Sequence, residues 1–214
     1  MLIINQLKNF RQMKYRLSKY VYFLLSLLLF DSCQSIMCSI YGIQTKPVSK
    51  KNIAKKEKKY HINQDDIYKI DSSFFIFLDS LGKTTTDSSI CNIIKNHYQP
   101  LQVMVFDFTG KLCSYHTNCY AEAFPNLKWR GFNTFPPITS TPIDTIITLN
   151  ILEKYIFHLQ EFIERSNKEY TVIVFWTAYM GRQSKRLIAL MQQKIPKNKV
   201  NLIYVNIEDV LMLP

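Results

Sequence analysis

The stretch from Thr171 to Ile207 constrains the fold most. "TVIVFW" lacks polar alternation and is rich in β-branched and aromatic residues, the composition of a strand buried on both faces. "RQSKRLIALMQQKI" then supplies Leu187, Ile188, Leu190 and Met191 for a helix packed on a sheet, and Pro196 stops it. "VNLIYVNI" is the next strand. Strand, helix and strand in this order imply a parallel pair joined by a right-handed crossover. The expected class is therefore α/β, a mixed central sheet flanked by helices.

Upstream, "SSFFIFLDS" at 72–80 is a compact apolar run bounded by polar residues and reads as a buried strand. Asp87 offers an N-cap to a helix with Ile90, Ile93, Ile94 and His97 on one face, ending before Pro100. "LQVMVFDF" reads as a strand, "TGK" as a turn and "LCSYH" as the strand returning from it. Residues 120–141 read as an irregular loop in which Trp129, Phe132 and Phe135 pack on the body. In "STPID", Thr141 reads as an N-cap, Pro142 as the first helical residue and Asp144 as a first-turn carboxylate. The apolar stripe Leu149, Leu152, Ile156, Leu159 and Ile163 carries that helix to about Ser166, with His158 a boundary residue.

Charge separates the chain into parts. Of its net +11, residues 1–60 carry 12 Lys and Arg against 2 acids, and the remaining residues 15 against 14. The folded part is nearly neutral, which argues against a nucleic-acid partner. Lys8 to Lys19 precede the short apolar run "VYFLLSLLLF", the order of a secretory signal. "LFDSCQS" follows and resembles a bacterial lipoprotein signal, which implies lipidation at Cys33; plain secretion and an uncleaved anchor are the alternatives. "KPVSKKNIAKKEKK" reads as a solvated tether, or as a helix with a charged face. The expected organisation is a signal peptide at 1–32, a basic tether at 33–60 and an α/β domain at 61–214, in a lipoprotein of the bacterial cell envelope, facing the periplasm or the surface. Its expected partners are the membrane, through the lipid anchor, and an envelope protein.

Cys113 and Cys119 flank His116 in "KLCSYHTNCY". A local disulfide, unpaired thiols, and a zinc or cysteine-nucleophile site are all open readings. No metal and no cofactor is expected, because Cys-x-x-His-x-x-Cys has no fourth ligand nearby.

Residues 142–208 resemble the thioredoxin-like superfamily, in particular its exported thiol-disulfide exchange branch. "VIVFWTAYMGRQSKRL" is similar to the family's apolar strand followed by Phe-Trp-Ala-x-Trp-Cys-Gly-Pro-Cys, a basic residue and a helix. Phe175, Trp176, Ala178 and Gly181 match; Met180 and Gln183 stand where the two cysteines would be, and Arg182 replaces the proline. A thioether forms no thiolate and an amide resolves no mixed disulfide, so the resemblance implies a thioredoxin-like fold without its exchange reaction at this site. It also implies a hairpin and further helix after the last strand. Three ways of meeting this are open: the earlier strands at 72–80 and 101–115 complete the sheet, the chain is truncated and the sheet incomplete at its C-terminus, or the likeness is that of any βαβ unit. The expected function is non-enzymatic binding or scaffolding; the alternative is a thiol-dependent protein using Cys113 or Cys119 with His116, or a redox partner using Cys91.

The address yields a first test. In a bacterial host fed labelled palmitate, the chain is expected to incorporate label and to begin at Cys33 when mature, and Cys33→Ser to abolish incorporation.

Overall fold

The computed structural model describes Ile43, residues 48–118 and residues 134–211. Cys33, Cys38, Cys119, Trp129 and Phe132, and with them the signal, lipidation and Cys113–Cys119 disulfide readings, lie outside the described residues.

The sheet has five strands: β1 (Ile67–Lys69), β2 (Gln102–Asp107), β3 (Leu112–Thr117), β4 (Tyr170–Trp176) and β5 (Val200–Asn206). Their spatial order is β1-β5-β4-β2-β3. The pairs β1·β5 and β5·β4 are parallel, while β4·β2 and β2·β3 are antiparallel. The expected mixed α/β sheet flanked by helices is present. The hairpin β2–β3 precedes β4 in the chain and pairs beside it, so earlier strands do extend the sheet.

Alternation along β4 sends Ile173 and Phe175 to one face and Val172, Val174 and Trp176 to the other. The first face is covered by α2 (Ser73–Thr84), α3 (Ser88–Asn96), α4 (Leu149–Glu153) and α5 (Leu159–Glu164), through Phe74, Leu78, Ile94, Leu152 and Leu159. The second is covered by α6 (Arg182–Lys194), through Leu187, Ile188 and Met191. α1 (Lys50–Lys59) lies on the same side, with Ile53 and the following Tyr60 packed into that core. A short α7 (Glu208–Leu211) follows β5.

Several expectations need correction. Residues 73–84 form a helix and not a strand: Phe74 and Leu78 are buried while Ile76 is 68% exposed, and a strand would have put all three on one face. Asp71 starts the turn, its Oδ1 accepting from the Ser73 N–H at 2.8 Å. Of the two readings of residues 46–59, the helix with a charged face holds over Lys50–Lys59 and the solvated tether does not, the helix being anchored by Ile53 and Tyr60. β1 had no counterpart in the sequence reading. Phe135 does pack as expected, edge-on to Tyr170 at 5.2 Å.

The single helix expected from Pro142 to Ser166 is absent as such. Residues 142–148 are irregular, and α4 and α5 are separate. Between them Phe157 N donates to Lys69 O at 3.1 Å, Asp71 N donates to Tyr155 O at 2.7 Å, and Ile156 bridges Ile70. Main-chain pairing with the end of β1 thus replaces continued helix, and the exposed His158 makes the break with φ +61°.

Thr141 has a different partner from that expected of a cap, whereas Asp144 makes cap-like bonds to the two following N–H groups although no helix continues from it. Thr141 Oγ1 accepts from Thr117 N at 3.0 Å, and Thr139 Oγ1 and Tyr115 exchange bonds, so residues 139–141 cover the outer edge of β3. Asp144 Oδ1 accepts from Ile146 N and Ile147 N at 2.8 and 2.7 Å. Its Oδ2 lies 2.8 Å from His97 Nε2, with both side chains 1% exposed. On the other side of that ring, Nδ1 meets Tyr115 Oη at 3.2 Å, and Tyr115 donates to Gln102 Oε1 at 2.7 Å. Burial pushes the Asp144 carboxyl up, but the His97 bond and charge and the two N–H donors outweigh it and hold it below the usual carboxylate range.

Removing one partner of a buried pair strands the other, so Asp144→Ala is expected to lower unfolding free energy by about 3–5 kcal/mol in urea titration. Thr141→Ala should lose about 1 kcal/mol, now through the β3 edge. The Asp144 contribution is present above the unfolded carboxyl value of about 3.9 and is lost as pH falls through the lower folded value.

Candidate functional site

The site resembling a redox centre lies where β4 ends. Thr177 leaves the strand extended, and its Oγ1 accepts from Tyr179 N at 3.0 Å, opening a 3₁₀ turn over Ala178–Met180. Gly181 follows with φ +49°, a region that strains any residue with a Cβ, and α6 begins at Arg182. Ser184 Oγ reaches back to Thr177 O at 2.5 Å. Met180 and Tyr179 are half-buried, Arg182 is exposed and Gln183 is buried. Met180, Gly181, Arg182 and Gln183 therefore occupy the strand-to-helix junction.

Three residues that the sequence reading did not select hold this junction. Glu208, 2% exposed, accepts through Oε2 from Thr177 Oγ1 and from Tyr179 N at 3.2 Å. From α1, Lys56 Nζ donates to Ala178 O, and Tyr60 Oη donates to Gly181 O at 3.0 Å. The Tyr60 ring stands edge-on to Trp176 with centroids 5.9 Å apart. Burial lowers the Lys56 ammonium's pKa and the negative charge of Glu208 partly restores it; burial and the same charge raise the Tyr60 phenol. A carboxylate and an ammonium thus meet the turn from two directions, one on its N–H side and one on its carbonyl side.

Beside this junction, at the C-terminal ends of β1 and β5, a cleft of about 180 Å³ is lined by Lys50, Glu57, Lys69, Asn206 and Asp209 among aliphatic residues. Open parallel sheets bind ligands at this end.

Of the cysteine–histidine alternative, Cys113 and His116 are described and Cys119 is not. Cys113 sits at the bulge opposite Val105, and its Sγ donates to Val105 O at 3.2 Å. Burial first, then the Asp107 charge, pushes this thiol up, the reverse of what a nucleophile needs. His116 is fully buried, with Nε2 3.0 Å from Ser114 Oγ and Nδ1 2.9 Å from Ser140 Oγ. β3 stands two strands from β4, about 10 Å away. Among the described residues Cys91 and Cys113 form no disulfide, and no group of three or more His, Cys, Asp or Glu side chains is placed to hold a metal ion.

Compared with family models, with curated proteins and with solved structures, the chain finds no match.

Burial drives the His116 imidazole down from 6.5 to about 4. Between those values the unfolded chain binds the proton and the folded one does not, so stability falls as pH drops from 6.5 to 4. The loss is on the order of 3 kcal/mol. Urea titrations across this range should show that slope, and His116→Gln should flatten it whatever its effect at neutral pH.

Proposed function

We propose that this is a thioredoxin-like binding or scaffolding protein of the cell envelope, lipid-anchored at Cys33, that performs no thiol exchange at its strand-to-helix junction. One observation carries the reading: the junction is built and held, by Glu208, Lys56, Tyr60 and Gly181, around residues that cannot do the family's chemistry. Retained architecture with Met180 and Gln183 in the thiol positions favours a contact surface over a reaction centre. Tyr179, Met180 and Arg182, each partly or fully exposed, form that surface.

The sheet supports the family reading in two ways. β4, α6 and β5 form the parallel unit that carries the motif, and the sheet includes an antiparallel hairpin, paired beside β4. Its place in the chain, ahead of β4, departs from the family's order. For the envelope address, the support is the sequence pattern that ends at Cys33; among the described residues no helix is long and apolar enough to cross a membrane. The thiol-dependent alternative loses ground because the Cys113 thiol donates to Val105 O and burial pushes its pKa up.

Insulin-disulfide reduction tests the chemistry. The wild type should be inactive, and Met180→Cys with Gln183→Cys should confer measurable exchange, the thiol at 180 titrating below about 8.5 because it lies beside the α6 N-terminus. Wild-type activity, or an engineered thiol that titrates normally, would contradict the placement. For the binding role, a photo-cross-linking residue in place of Met180 should give a discrete adduct with an envelope protein in cells, and one in place of Lys95 should not.

A further inference from the structure

α1 has two faces of different character. At 100° per residue, Ile53, Lys56, Glu57 and Tyr60 share one side, and of these Ile53 and Tyr60 enter the core while Lys56 binds Ala178 O. Lys51, Lys55, Lys58 and Lys59 fall within an arc of about 100° on the opposite side. All four are exposed, and no carboxylate of the described residues pairs with them. The inner face fixes the rotation of the helix, so the four ammoniums form a fixed cationic stripe pointing away from the domain.

We propose that this stripe docks on the anionic phospholipid headgroups of the membrane that holds the N-terminal segment. The inference deepens the functional reading and rests on its membrane attachment. Cys33 and Lys50 are 17 residues apart. Such a segment spans at most about 60 Å whatever path it takes, so a membrane-held Cys33 keeps the stripe close to the bilayer at high effective concentration. Each lysine within a Debye length of about 8–10 Å of an acidic surface raises binding about fivefold. The rest of the chain adds little net charge, since residues 61–214 carry 15 Lys and Arg against 14 acids. A helix with its apolar side in the protein core and its cations outward suits a headgroup layer better than the acyl interior. A nucleic acid, the other polyanion, is disfavoured by that near-neutral domain surface. Docking by this face would leave the junction at Tyr179 and Met180, on the other side of α1, open to a partner.

The test uses the full chain reconstituted into phosphatidylcholine vesicles with and without phosphatidylglycerol. Amine acylation is followed at Lys51, Lys55, Lys58 and Lys59 against Lys95, Lys111 and Lys185, which are exposed elsewhere. On anionic vesicles at low salt the four should label several-fold more slowly, with the controls unchanged and high salt restoring the rate. Lys51→Gln with Lys58→Gln, helix content unchanged by circular dichroism, should remove most of the protection of Lys55 and Lys59. Equal labelling on both vesicle types would overturn the inference and leave the anchoring reading intact. A chain that fails to enter neutral vesicles would instead remove the anchoring reading, and protection by added anionic vesicles would still decide the stripe. Protection by duplex DNA but not by anionic vesicles would overturn the membrane assignment.

Discussion

The buried pair of His97 and Asp144 is the contact on which one side of the sheet depends. It joins three segments distant in sequence: the end of α3, the irregular stretch before α4 and, through Tyr115, the edge strand β3. A buried carboxylate–imidazole pair adds little net stability compared with an apolar replacement, because desolvation offsets much of the attraction. Its force is selective. Any arrangement that separates the partners strands a charge in the core, so the 142–148 segment has one acceptable position, and residues 139–141 are thereby laid along β3. The Gln102 amide completes the arrangement by donating to His97 O and Gln99 O at 2.9 and 2.7 Å, which closes the chain between α3 and β2.

On the other face, α1 and Glu208 do comparable work with weaker means. The turn over Ala178–Met180 exposes backbone donors and acceptors near the core, and unpaired groups there are heavily penalised. Glu208 takes the donor at Tyr179; Lys56 and Tyr60 supply donors to the carbonyls of Ala178 and Gly181. These contacts bring together the helix α1, the β4–α6 junction and the first residue of α7. The junction is therefore the product of the whole fold and not of a local motif.

Much of the sheet was legible because its signals are local. Gly110 at φ +78°, with Asp107 Oδ1 accepting from Thr109 N, is the hairpin turn that "TGK" announced. Asp87 caps α3 through Ser89 N, as read. Pro196 stops α6 where expected. The failures share another cause. Phe74 to Leu78 is apolar at both helical and strand periods, and only packing decides between them. The 142–166 stripe is helical by period, yet Tyr155 and Phe157 find main-chain partners at β1, which no periodicity within the segment could announce. Likewise Met180 and Gln183 were legible as motif positions, whereas Lys56 and Tyr60 come from more than 120 residues away, brought there by α1.

The lysine run at 50–59 shows why composition alone left that segment open between a solvated tether and a charged helix. Without a folded partner, six lysines in ten residues repel and the sequence reads as solvated. Two apolar anchors, Ile53 and Tyr60, are spaced seven apart, two helical turns, which aligns them on one side. Their burial orders the helix, and Lys56, the lysine on the anchored side, is used as a donor to Ala178 O rather than left to repel its neighbours. Four of the remaining cations are then swept to the far side, where water screens them. Charge excluded from the core in this way is concentrated on one arc, so ordering the segment creates a surface that the same residues in a solvated tether could not present.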